Sequence, residues 1–427
     1  MPPVEDHPLR YKLSNELHAR PFPALDAPCV AACLAIKEPR NAAGRDRSRD
    51  RAHLISLLDR YGAQHPKEDA THWFGAIGRH QLKWEQHTEF VTYTVFADGA
   101  TERAFDPEIF EVFPDAWLRE APGARITSVL IRVEERPADD DVVRRRLDAW
   151  FVPESLAMSE VFDGSALIAS DFRIDTAGHM RMSVFTDPGI GERRVGRIVQ
   201  RLCEIEIYKA MSMLGLWRVR EMSGTLGRLD RDLTRLMDDM TGDVTRPEAT
   251  LKALLGVSAE LETILAQTSF RFGATRAYEA LVNQRIAVLR ETRFEGRQTF
   301  GEFMMRRFDP SMRTVVATRE RLTQMSERAL RAGDLLRTRV DVERSAQNQA
   351  LLESMDRRAD LQLRLQRTVE GLSVVAISYY ALNLASYMAY PVMEAIGLSK
   401  PMGTAILTPI VIAVVWFAVR RIREAID

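Results

Sequence analysis

The chain has 427 residues, too many for one ordinary core, so two or three units are expected. Its 59 basic and 60 acidic side chains nearly balance, which excludes a global positive field for capturing nucleic acid. Cys29, Cys33 and Cys203 are too few for a disulfide framework, and the spacing of the first two does not match a zinc knuckle. They read as small buried apolar residues in a reducing compartment.

The opening "MPPVEDHPLRYK" lacks the apolar stretch of a secretory signal. "NELHARPF" (residues 15–22) then gathers Asn15, Glu16, His18 and Arg20. Glu16, His18 and Arg20 alternate, so they share a face only if the chain is extended, and the proline after Arg20 favours extension there. A catalytic reading makes His18 a base oriented by Glu16. A structural anchor, with His18 and Arg20 satisfying carbonyls or carboxylates of a sheet, is preferred, because no nucleophile motif follows. No enzyme is expected.

Residues 1–188 read as a mixed α/β domain. Strand-like runs are "CVAACLAI" (29–36), "TEFVTYTVF" (88–96), "RITSVLIRVE" (125–134) and "RMSVFTD" (181–187), with helices around 51–61 and 140–150. In the second run Phe90, Thr92, Thr94 and Phe96 fall on one face, and Val91, Tyr93 and Val95 on the other. Seven of the eight histidines lie in the first ninety residues, yet no pair has the close spacing of a zinc site on one helix or strand. "DDD" (139–141) reads as a helix cap. "DPGIGERRVGR" (187–197) reads as a tight turn into a helix, since it matches neither a dinucleotide fingerprint nor a P-loop.

Beyond Pro188 helical periodicity fills residues 192–240, 250–269 and 275–307, with breaks at 239–249 and at "SFRFGA" (269–274). Between Pro310 and Pro391 no proline occurs, and the glycines are Gly333 and Gly371. One helix of up to about 80 residues, roughly 120 Å at the α-helical rise, is predicted. Leu322, Met325, Ala329, Ala332 and Leu336 keep a three-four spacing suited to packing as a coil on the cytosolic domain and on sister subunits.

Residues 371–390 carry no formal charge, and neither do residues 402–419. The first is long enough to span a membrane; the second is short for a span and holds Pro409, but no charge interrupts it, and the competing reading is a buried hydrophobic hairpin of a soluble protein. Arg357, Arg358, Arg364 and Arg367 precede the pair and Arg420, Arg421 and Arg423 follow it, while the intervening loop offers Lys400. The positive-inside rule places both termini in the cytoplasm of a two-pass inner-membrane protein. Glu370, Ser373, Ile377, Tyr380, Leu384 and Tyr387 share one helical face, with Asn383 beside it. Around a symmetry axis Glu370, Ser373, Tyr380, Asn383 and Tyr387 would line a wet path; on a lone anchor the tyrosines form an interfacial belt.

Together "NELHARPF", "GRIVQRLCEIEIYKAMSMLGL" (196–216) and "LQRTVEGLSVVAISYYALNLASY" (365–387) resemble a bacterial family of uncharacterised membrane-anchored proteins, a domain of unknown function. That resemblance spans nearly the whole chain and implies a membrane anchor without an assigned activity. The last hundred residues also resemble CorA-type divalent-cation transporters in architecture. There Tyr-Gly-Met-Asn ends the first span; here Tyr380-Ala381-Leu382-Asn383 stands in that place, keeping the tyrosine and asparagine and losing the glycine of the outer turn.

The expected fold is therefore an α+β cytosolic domain (1–188), a helical domain (189–308), a long stalk helix (309–370), and a C-terminal two-helix transmembrane hairpin with a basic tail (371–427). The expected function is that of a homo-oligomeric membrane protein facing the cytosol. It is either a CorA-like channel moving a divalent cation such as Mg, or a non-transporting anchor whose cytosolic domain binds a protein partner. No cofactor and no nucleic acid are expected; the lipid bilayer is.

Overall fold

A computed structural model describes residues 4–16, 22–39, 44–241 and 247–424. The chain divides into two compact units, one of residues 1–243 with 252–332, the other of residues 244–251 with 333–427. A short helix, α1 (Arg10–Glu16), comes first.

The first unit is built on a sheet of nine strands among the described residues: β1 (Cys29–Lys37), β2 (His72–Ile77), β3 (His80–Gln86), β4 (Phe90–Asp98), β5 (Ala124–Glu135), β6 (Ala157–Val161), β7 (Ala166–Ser170), β8 (Met180–Thr186) and β9 (Thr292–Arg293). Their order is β2-β3-β4-β1-β5-β8-β7-β6-β9. The pairing of β5 with β8 is parallel and the others are antiparallel. Each half is laid down as a strand, a helix and a three-stranded meander: β1, α2 (Ser48–Tyr61), β2-β3-β4, then β5, α4 (Asp140–Trp150), β6-β7-β8. Between the halves lies the short helix α3 (Asp115–Arg119).

β1 is apolar on both faces because both are covered. Ala31, Cys33 and Ala35 face one core, and Leu34 and Ile36 another. β4 alternates as its sequence implies, with Phe90 and Phe96 in the first core and Val91, Tyr93 and Val95 in the other. α2 and α3 cover the β1–β4 half, and α4 covers the other half on the same side. The opposite face belongs to α5 (Glu192–Thr241), whose Val195, Ile198, Val199, Leu202 and Ile205 are buried against it. Close approach fixes the start of α5: a Cβ on Gly196 would collide with the Pro23 carbonyl, and Leu25 N–H donates to Glu192 O at 3.1 Å.

Two helix readings are corrected. "SFRFGA" does not break the chain, because α6 (Pro247–Ala287) runs through it with Phe272 buried. Tertiary packing offsets the roughly 1 kcal/mol helix cost of Gly273. The stretch 275–307 is not one helix. After Ala287 the chain makes β9 and then α7 (Phe300–Arg307), which a Thr299/Glu302 capping box starts. The half-buried Glu291 carboxylate accepts from the N–H groups of Phe300 and Gly301 at 3.1 and 2.9 Å.

Beyond the sheet, α5 and α6 pack with the first part of α8 (Asp309–Ala395, 87 residues). Leu229 and Leu233 of α5, Leu254 and Leu261 of α6, and Leu322, Met325 and Ala329 of α8 share this core. The three-four stripe of α8 is therefore satisfied inside its own chain, which removes the reason to assign it to sister subunits. In the second unit every residue of α8 from 344 to 369 is exposed. Its last turns form a hairpin with α9 (Lys400–Glu424), where Met393 lies against Gly403.

Candidate functional site

The residues singled out in the sequence fall in two places. His18 and Arg20 lie outside the described residues; Asn15 and Glu16 end α1, and their side-chain surroundings lie outside the description too. Phe22, the last residue of that block, is described and lines a cleft. Glu370, Ser373, Tyr380, Asn383 and Tyr387 lie on α8 within the hairpin. Tyr380 is 73% and Tyr387 76% exposed, so that end of the stripe is uncovered by α9, whereas Glu370 and Ser373 line a shallow pocket with Val419 of α9. Less exposed positions, Val374, Ser378, Ala381, Leu382, Ala385 and Ala389, recur at three and four on another face and form the seam toward α9. Ser373 spends its hydroxyl on Val369 O at 2.8 Å, and Glu370 accepts from Gln366 at 3.2 Å, both within the helix.

Among the described residues no group of three or more His, Cys, Asp or Glu side chains could hold a metal ion. The early histidines serve different local needs. His53 is a core residue whose Nε2 meets the Trp117 carbonyl and whose Nδ1 meets the Tyr93 hydroxyl, each at 2.9 Å. A carbonyl can only accept, so Nε2 carries the proton and Nδ1 accepts from tyrosine. His65 pairs with Asp59, while His87 stacks on Phe90 at 4.2 Å.

The feature the sequence did not disclose is a cleft of ≈ 280 Å³ between β3, β4, α5 and the end of α6. Thr92 and Thr94 project into it because they occupy the α5 side of β4, where Phe90 and Phe96 form walls. From α5 come Gln200, Arg201, Cys203, Glu204, Ile207 and Tyr208. Spacings of three and four along that helix bring this set to one side.

A chain of polar contacts crosses the cleft. Glu85 pairs with the buried Lys83 ammonium at 3.3 Å, and Lys83 donates to Gln200 Oε1 at 2.8 Å. Gln200 Nε2 donates to Glu204 at 2.9 Å, and Glu204 closes an ion pair with Arg285. Arg201 differs: it donates to Val288 O at 3.4 Å and lies 5.0 Å over the Phe162 ring, with no carboxylate in ion-pair range among the described residues. Burial, and then the neighbouring guanidiniums of Arg197 and Arg285, hold its pKa below the ordinary arginine value. Cys203 is raised well above the usual thiol range, first by its contact with Cys33 and then by burial, so it is an inert wall.

Beside the cleft, the buried Glu89 carboxylate is ion-paired with Arg271 and accepts from Tyr278 Oη at 3.2 Å, tying α6 to the sheet. A spacing rule could not have found this site. Its residues come from four stretches, each separated from the next by about sixty positions or more, and the signal available was a pair of threonines on an otherwise apolar strand face.

In the second unit the hairpin contains two helices long and apolar enough to cross a membrane. Their most apolar stretches have mean hydropathy 1.3 and 2.2, and 6% and 11% of those stretches are buried within the chain. Little of either stretch is buried within the chain, which speaks against a hydrophobic hairpin packed inside its own fold. No curated protein matches the sequence. The expected likeness to CorA-type transporters finds no support in this comparison. Residues 5–426 match the family described as Protein of unknown function (DUF3422), and the chain, matched over nearly its whole length, belongs to that family.

Proposed function

We propose that the protein is a membrane-anchored protein whose hairpin, the end of α8 with α9, crosses a lipid bilayer twice and tethers the sheet domain to the cytosolic side. The observation that carries this reading is uncovered apolar surface. Leu372, Val375, Met388, Val414 and Phe417 are each more than half exposed, and no other element among the described residues covers them. At about 25 cal/mol per Å² of apolar surface, lipid offers what the fold does not. Arginines at both ends of the hairpin and the sparse charge of its connecting loop support the orientation. Alkaline carbonate extraction of membranes tests the anchor: the full chain stays with the pellet, and release into the supernatant overturns the reading.

A second reading, a homo-oligomeric cation pore, is favoured by the stripe of half-buried Glu370 and exposed Ser373, Tyr380, Asn383 and Tyr387. Polar side chains on a lipid-facing helix are costly, and a shared axis would relieve that cost. α9 occupies another face of α8 beside Tyr380 and Tyr387, so that end of the stripe is free to meet sister copies. In this reading Mg or a similar divalent cation is the substrate, with Asn383 at the outer entrance. Without transport, the same anchor presents the sheet domain to a protein partner.

A further inference from the structure

We infer that the cleft between β3, β4 and α5 binds a small organic anion, a phosphate or carboxylate carried on a flat apolar body. This is independent of the hairpin, since every group involved belongs to the first unit.

The argument starts from unbalanced charge. Two guanidiniums, Arg201 and Arg285, line the cleft, and Arg197 and Arg290 add like charge near Arg201. Arg285 and Arg290 have acids, Glu204 and Asp163 respectively. Arg201 has a carbonyl and a ring face, and one turn earlier Arg197 buries its Nε without a hydrogen-bond partner. Neither makes an ion pair among the described residues. Half-buried guanidiniums packed together repel one another, and a fork of N–H donors without an acid matches an incoming carboxylate or phosphate. The two acids of the cleft do not compete for this role, because Glu85 is held by Lys83 and Glu204 by Gln200 and Arg285.

The rest of the cleft specifies the body of the ligand. Phe22, 44% exposed, and Tyr208, 9% exposed, give it aromatic lining, and Lys83 and Thr94 a polar floor. A bare inorganic ion would leave that lining unused, whereas an aromatic phosphate or carboxylate would place its ring against it and its charge at Arg201.

Isothermal titration of the full chain in detergent with phenyl phosphate, inorganic phosphate and short-chain phosphatidylglycerol tests this assignment. Phenyl phosphate should bind at least about tenfold more tightly than inorganic phosphate, and Arg201→Gln should weaken it at least about tenfold. Arg228→Gln, on the far half of α5, should leave it unchanged. Tighter binding of phosphatidylglycerol that Arg201→Gln also abolishes would identify the anion's source as a lipid headgroup rather than a free metabolite. Saturation-transfer NMR on the wild-type chain gives a readout that needs no variant: the phenyl protons should receive saturation from the protein. Equal affinity for phenyl and inorganic phosphate, absence of saturation transfer, or binding indifferent to Arg201→Gln would each overturn the proposal.

Discussion

His53 carries the clearest consequence of a single side chain. Burial outweighs its favourable contacts and holds its pKa below the ordinary 6.5. His80 and His179 are lowered too, first by burial and then by Arg79 and Arg125. A base whose folded pKa is depressed adds stability that is fully present above its unfolded pKa and is lost as pH falls through the folded value. Urea unfolding followed by fluorescence should therefore show the midpoint falling as pH drops below 6.5. His53→Gln should flatten that dependence while lowering stability at pH 8, and an unchanged slope would refute the assignment. The histidine count was legible in the sequence, and so was the lack of metal spacing; that His53 bridges Tyr93 and Trp117 was not. Those partners are 40 and 64 residues away, and only the sheet brings them together.

Among elements, α8 was the most legible, because absence of proline and near-absence of glycine over eighty residues leaves few alternatives to a helix. Its partners were less so. The Leu322, Met325, Ala329 and Ala332 stripe announces a buried face but does not say whose, and α5 and α6 of the same chain provide it. Leu322→Ala should cost about 2–5 kcal/mol in chemical unfolding, as for a fully buried leucine. Leu351→Ala, at a position 60% exposed, should change stability by less than about 0.5 kcal/mol. Equal effects would mean that residues 344–369 are covered in solution. The strands sort in the same way. β1, β4, β5 and β8 are long or richly apolar and were foreseen. β2, β3, β6, β7 and β9 were missed: β2 is half exposed and holds Gly75, β6 and β7 are five residues each, and β9 is two. Short runs of that kind acquire strand geometry from their neighbours rather than from their own composition.

At the scale of the whole molecule, the pore reading and the anchor reading differ in what a membrane vesicle would do. If the stripe lines a path, reconstituted vesicles should take up Mg, and Asn383→Ala should change that flux severalfold. Wild-type vesicles that take up none would leave the anchor alone. The cleft and the hairpin belong to separate units, so Arg201→Gln should not alter the flux.

The strand order also sets a timetable for folding. Each meander closes through connections of a few residues, whereas Lys37 must find Ala124 and Val129 must find Met180 before the two halves become one sheet. Local ribbons form in microseconds, and long-range or parallel pairing is slower. α5 leaves β8 and buries its apolar side on strands from both halves, so until that seam is joined it has no complete surface to settle on. During synthesis more than three hundred residues must emerge before the first core, which takes in Phe300, Phe308 and Met312, can close. The nascent chain carries an exposed half-sheet for that interval, a window in which a chaperone has more to hold than at any later time.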